Sequence, residues 1–336
     1  MTQMSKKVKN GTIVCAVLGI LAIVGVGVWM LFSDSRPKIG LVFGGGGAKA
    51  AAEIGALRVI ERTCVPVDYV VGSSMGAVVG GLYAAGYTAE ELEQLWLTED
   101  WLMLFDKTKF GIEAGDRTFF GLVKGGEFED HLRDALSRKG CTTFEDIKDK
   151  RDIEFCCTAT QIIDDEELKE VHLTSGDLAK AIRASLTYPV PLVGYAPVEI
   201  DGMKLVDGGM TNNLPVDVAK EMGADKVIAI DLTVKQKNGK APVWVDILKM
   251  IHDMSKTAQK FEKMTKTKWL VNWTTDYSDV EKLNQNRDSA SVWIHPINLS
   301  EFKITSFNQK DARTMMLFGE DEARIHEQEL LGLKQK

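Results

Sequence analysis

Hydrophobic patterning divides the chain of 336 residues into two unlike parts. From Thr12 to Phe32 no charged side chain interrupts an apolar run. At a rise of ~1.5 Å per residue, a helix of that length matches the ~30 Å hydrocarbon core of a bilayer, so the pattern predicts a transmembrane helix. The run ends Val28-Trp29-Met30-Leu31-Phe32 without a small-x-small cleavage site, which favours an uncleaved anchor over a signal peptide. Lys6, Lys7 and Lys9 lie in the basic segment 1–11 ahead of it, and Arg36 and Lys38 follow. The positive-inside bias then keeps the N-terminus cytoplasmic and exports the remainder across a bacterial inner membrane. Ser33 to Pro37 is polar and carries a proline, the signature of a short linker.

Beyond the linker, short apolar runs alternate with helical periodicity. Lys38 to Phe43 reads as a strand ending in four glycines, and Ala48 to Arg62 carries apolar residues at helical spacing. Pro66 to Val71 is a second strand, which leads through Gly72-Ser73-Ser74-Met75-Gly76 into a helix over Ala77 to Ala85. Glu154 to Thr160 and Lys226 to Leu232 read as buried strands, with a helix over Pro215 to Met222 ahead of the latter. This alternation predicts a mostly parallel central sheet with helices on both faces, a three-layer α/β/α domain over residues 38–331. Thr98 to Gly126 is less regular, and its Trp101, Phe105, Phe110, Phe119 and Phe120 suit either a lipid-facing wall or ordinary packing. Val243 to Phe261 places Ile247, Ile251, Met254, Ala258 and Phe261 at the spacing of a core-facing helix.

Composition narrows the choice of function. With 45% hydrophobic and 26% charged residues the chain is globular, and 41 Lys plus Arg against 48 Asp plus Glu leaves no basic surface for nucleic acid. Five cysteines, two of them adjacent at Cys156 and Cys157 inside a strand, do not make a disulfide framework. They read as buried free thiols, and without Cys-x-x-Cys spacing no structural zinc is expected.

Candidate chemistry centres on Gly72-x-Ser74-x-Gly76, which sits between a strand and a helix, where a sharp turn presents the hydroxyl. A serine hydroxyl needs a base. The five histidines, His131, His172, His252, His295 and His326, lie in no recognisable catalytic turn, and His131 sits in a charged helical pattern that reads as solvated surface. A partly desolvated carboxylate serves equally, and Asp207, followed by Gly208 and Gly209, is placed to bend close to another loop. Asp201-Gly202, by contrast, reads as the two-residue turn of a hairpin between Ala196–Ile200 and Met203–Val206. Gly44-Gly45-Gly46-Gly47-Ala48-Lys49 offers unobstructed N–H groups at a helix start, suited to an oxyanion. It lacks the Gly-Lys-Ser/Thr of a phosphate-binding loop.

The ordered blocks Gly40 to Lys49, Gly72 to Gly76 and Asp207-Gly208-Gly209 resemble the three signatures of the patatin-like phospholipases. Arg183-Ala184-Ser185 with Pro189 and Pro191, the run Asp207 to Asp217, Ile294-His295-Pro296 and a closing helix to about Leu331 are similar to the bacterial branch of that family. The resemblance implies a three-layer lipid acyl hydrolase of phospholipase A or lysophospholipase type, without metal or cofactor, acting on membrane lipids. In it Ser74 is the nucleophile, Asp207 the general base, and Gly45, Gly46 and Gly47 frame the oxyanion hole beside Lys49. The chain departs from the pattern at Ala50, usually glycine, and Glu53, often histidine. Two other readings stay open: a Ser-His-Asp esterase for soluble esters, and a catalytically silent module binding lipid or protein.

Overall fold

A computed structural model describes residues 36–99, 126–163, 167–187, 197–233, 280–304 and 306–334. The segment 12–32, the aromatic stretch 100–125 and the proposed helix 243–261 lie outside the described residues. The chain divides into two units at Arg36/Pro37, and the sheet and its helices belong to the second. Among the described residues no helix is long and apolar enough to cross a membrane.

Eight strands, β1 (Ile39–Phe43), β2 (Tyr69–Ser73), β3 (Glu154–Ile162), β4 (Leu168–Leu173), β5 (Val198–Ile200), β6 (Met203–Asp207), β7 (Lys226–Ile230) and β8 (Val292–Ile294), form one sheet. The helices are α1 (Ala51–Thr63), α2 (Met75–Ala84), α3 (Ala89–Thr98), α4 (Gly126–Arg138), α5 (Phe144–Arg151), α6 (Leu178–Ser185), α7 (Val216–Glu221), α8 (Val280–Ser289), α9 (Gln309–Ile325) and α10 (Glu327–Gly332).

β1 is fully buried because it lies at the centre, parallel to β2 on one side and β7 on the other. Its residues alternate between the two faces. Ile39, Leu41 and Phe43 join the core under α1, α2, α3 and α9, while Val42 joins Val71, Cys156, Val227 and Ala229 under α7 and Leu283 of α8. This is the period of two expected for a strand covered on both faces, and it yields the three layers. The helix starts are fixed locally: Thr88 and Glu91 close a capping box on α3, as do Thr143 and Asp146 on α5. α1 and α9 cross where Gly55 meets the Met316 backbone and Gly319 meets that of Ala52, contacts that leave no room for a Cβ on either glycine.

The sheet is mixed rather than mostly parallel. Pairings β3–β4, β3–β6 and β5–β6 are antiparallel. The predicted hairpin causes part of this, since Asp201 (φ 51°) and Gly202 (φ 76°) both take the left-handed conformation that turns β5 back into β6. The length of β3 causes the rest. Thr158 pairs with Ser73 and with His172, so β2 and β4 lie on opposite flanks of β3. Ala159 pairs with Val171 and with Asp207, so β6 also lies opposite β4. β2 and β6 therefore share one flank of β3 and meet end to end, their C-terminal residues Ser73 and Asp207 facing the consecutive residues Thr158 and Ala159.

Candidate active site

Ser74 is the first residue beyond β2, and α2 starts immediately after it. Its backbone sits at φ 53°, ψ −128°, a region that L-residues rarely occupy and that costs about 1–3 kcal/mol. The close packing of β2, α2 and β1 imposes it: a Cβ on Gly76 would come within 2.5 Å of the Phe43 carbonyl oxygen, and one on Gly72 within 2.5 Å of Ala77 Cα. The motif glycines thus let the turn tighten at the C-terminal end of β2, where Ser74 sits.

Because β6 ends where β2 ends, the Ser74 hydroxyl meets Asp207. Ser74 Oγ donates to Asp207 Oδ2 at 2.7 Å, and the Gly209 N–H donates to Oδ1 at 2.8 Å. Asp207 is only 5% exposed. Burial raises its pKa from 3.8 to about 6, against the opposing pull of the hydrogen bonds from Ser74 and Gly209. The result is a carboxylate basic enough to take a proton yet mostly ionised at neutral pH.

No histidine among the described residues bonds to either group. His131 is half-buried against Glu99 Oε2 at 3.3 Å rather than solvated, because α4 packs that face inward. His172 pairs with Glu170, His295 with the Asp231 carbonyl, and His326 with Glu329. His252 lies outside the described residues.

The last residue of α6 and the segment just after it hold both members of the pair in place. Ser185 Oγ, fully buried, accepts the Ser74 N–H at 3.0 Å, and the Thr187 carbonyl accepts the Asp207 N–H at 2.9 Å. The sequence marked Arg183-Ala184-Ser185 without assigning it a task. Arg183 Nη1 donates to Glu129 Oε2 at 3.0 Å, tying α6 to α4. Ser185→Ala should leave the Ser74 N–H without a partner, at about 1–3 kcal/mol, and lower kcat/KM by roughly 10- to 100-fold in ester hydrolysis.

The three glycines expected to frame an oxyanion hole do not contribute alike. The Gly45 N–H is committed to the Asn213 carbonyl at 3.0 Å, so it is not a free donor. Gly46 and Gly47 donate to no atom of the described residues. They precede the half-buried Lys49, whose pKa burial lowers. Gly208 and Gly209 begin the turn after Asp207.

The two departures from the family pattern differ in consequence. Ala50 sits at φ −59°, ψ −15°, a conformation any residue adopts, so glycine is not required there. Glu53, in the first turn of α1, is fully buried, and neither carboxyl oxygen has a partner among the described residues. Burial pushes its pKa well above the ordinary carboxylate value, so folding favours its protonated form. The unfolded chain ionises it near 4.5, so stability falls as pH rises above that value. Glu53→Gln should melt above the wild type at pH 8, with the difference gone below about pH 4.5; a lower melting temperature at pH 8 would mean that the folded protein stabilises the carboxylate.

Among known families, the model described as "Patatin-like phospholipase" matches residues 41–220, a span that includes Ser74, Asp207 and the glycine loop. The chain belongs to the patatin-like phospholipase family. Relatives within it include lysophospholipase NTE1 of Mycosarcoma maydis, 36% identical over 209 residues, and neuropathy target esterase sws of Drosophila melanogaster, 35% identical over 200. Each alignment covers 58% of this chain but only 10% and 13% of those proteins, so the chain spans a small part of their length. Among solved structures, VipD from Legionella pneumophila is similar at a TM-score of 0.49 and 14% identity, over 90% of this chain and 67% of that one.

Proposed function

We propose that the chain is a lipid acyl hydrolase that cleaves fatty-acyl esters through a Ser74–Asp207 dyad. The observation that carries this is the 2.7 Å bond from Ser74 Oγ to a buried carboxylate whose pKa is raised to about 6. As Oγ attacks the ester carbonyl carbon, its proton passes to Asp207. The negative charge then develops on the carbonyl oxygen, where the Gly46 and Gly47 N–H groups and the first turn of α2 receive it. Collapse expels the alcohol, which takes the proton from Asp207 and leaves an acyl group on Ser74. Water attacks that acyl ester with Asp207 again as base, releasing the fatty acid and restoring the hydroxyl.

The names of the relatives, a lysophospholipase and an esterase, support ester lipids as the substrate class. The uncharged run from Thr12 to Phe32 supports a membrane anchor that holds the domain near its substrate, with the N-terminal lysines favouring an extracytoplasmic domain. Product mass spectrometry on lysophospholipid and phospholipid vesicles tests the activity: free fatty acid should accumulate with the wild type and not with Ser74→Ala. With a soluble ester, kcat/KM should rise about tenfold per pH unit up to about pH 6 and then level, since only the ionised Asp207 accepts the proton. A rate independent of pH between about 4.5 and 7.5 would remove Asp207 from the mechanism.

A further inference from the structure

We propose that Asn213 is a positioning residue that fastens the glycine loop to the loop of the base, so that oxyanion donors and carboxylate keep one relative geometry. This rests on the acyl-hydrolase reading above. Asn213 lies six residues beyond Asp207 and is almost fully buried. It engages Gly45 twice: its carbonyl accepts the Gly45 N–H at 3.0 Å, and its side-chain Nδ2 donates to the Gly45 carbonyl at 3.0 Å. One residue of the run that follows the third signature thereby satisfies both backbone groups of a residue in the first.

Its side chain also fills the space that two signature glycines leave. A Cβ on Gly45 would overlap Asn213 Oδ1, and a Cβ on Gly209 would come within 2.5 Å of the same oxygen. Gly45 in turn abuts Ser74, since its Cβ would stand 3.0 Å from Ser74 Cβ. Nucleophile, glycine loop and base loop thus touch around one carboxamide. The neighbouring Asn212 faces elsewhere, donating to Glu170 at 2.9 Å and Asp217 at 2.8 Å while accepting from Asn286 at 3.2 Å. The two consecutive asparagines therefore hold the base loop from both sides, and of the two it is Asn213 that bonds to the glycine loop. By occupying the Gly45 amide it also leaves the Gly46 and Gly47 N–H groups as the loop's donors without a partner among the described residues.

The test is ester hydrolysis by the full chain with p-nitrophenyl butyrate, following kcat, KM and the pH profile. Asn213→Ala should lower kcat by roughly 30- to 100-fold, as misplaced or lost oxyanion donors do, with KM changed less than about threefold. The limb near pH 6 should stay in place, because the Ser74 and Gly209 bonds to Asp207 remain. Gly45→Ala should be nearly inactive, and adding Asn213→Ala should restore at least about fivefold of that loss by freeing the space the new Cβ needs. If Asn213→Ala does not fold, Asn213→Leu keeps a similar volume and the backbone carbonyl while removing the donor without adding a charge, and the same split in kcat is expected. Wild-type kcat in either variant, a displaced pH limb, or multiplicative losses in the double variant would overturn the proposal. A wild type that neither hydrolyses the ester nor takes a fluorophosphonate at Ser74 would instead defeat the hydrolase reading, and this inference with it.

Discussion

Asp207→Asn should abolish hydrolysis and stabilise the fold. The amide keeps the shape of the carboxylate and can still accept the Gly209 N–H, but it cannot take a proton from Ser74, so kcat should drop by about 10⁴-fold or more. The stability gain follows from the raised pKa. An acid whose pKa moves from 3.8 in the unfolded chain to about 6 in the folded one keeps its proton longer when folded, so stability is lost as pH rises between those values. Above about pH 6 the full penalty applies, and at about 1.4 kcal/mol per pH unit it is on the order of 3 kcal/mol. Asparagine carries no such penalty. Chemical denaturation at about pH 7.5 should show the variant more stable by up to that amount, with the two curves converging below about pH 4. An inactive variant that is also less stable near neutral pH would mark Asp207 as a structural residue.

The strain at Ser74 gives a second result of similar size. Ser74→Ala and Ser74→Gly should both lose turnover by about 10⁴-fold or more, since each removes the nucleophile. Their stabilities should differ. At φ 53°, ψ −128° alanine retains the steric penalty of an L-residue, about 1–3 kcal/mol, whereas glycine does not. Glycine loses about 0.4–1 kcal/mol of this through the greater freedom of its unfolded chain. Ser74→Gly should therefore be the more stable by about 1 kcal/mol in urea unfolding. Equal stabilities would indicate that the turn is not strained in solution.

Both expectations concern residues that the sequence singled out, and the fold around them was legible where burial is two-sided. β1, β2, β3 and β7 are nearly continuous apolar runs because layers cover both their faces. β4 and β8 gave only weak strand signals, because Leu168 to Leu173 is mostly half-buried or exposed and carries charge, and β8 has only three residues. The end-to-end meeting of β2 and β6 could not be read either. It depends on β3 being long enough to pair with one strand and then the next, across a separation of 133 residues between Ser74 and Asp207.

Within the site, the sequence identified the glycine loop but not the division of labour along it. That division is set by Asn213, which takes the Gly45 amide from 168 residues away. Glu53 misleads in a related way. An acidic residue in the first turn of a helix usually complements the dipole in solvent. Here α9 crosses the first turns of α1 at Ala52 and Gly55, so the carboxyl is buried and its protonated form is favoured.

The dyad itself is tested most directly by peptide mass mapping after brief exposure to a fluorophosphonate near neutral pH. Phosphonylation is expected on the peptide carrying Ser74 alone, absent in Ser74→Ala and strongly slowed in Asp207→Asn, while single replacement of any of the five histidines leaves it intact. An adduct on another residue, or labelling of Ser74 that ignores Asp207 and depends on a histidine, would contradict it.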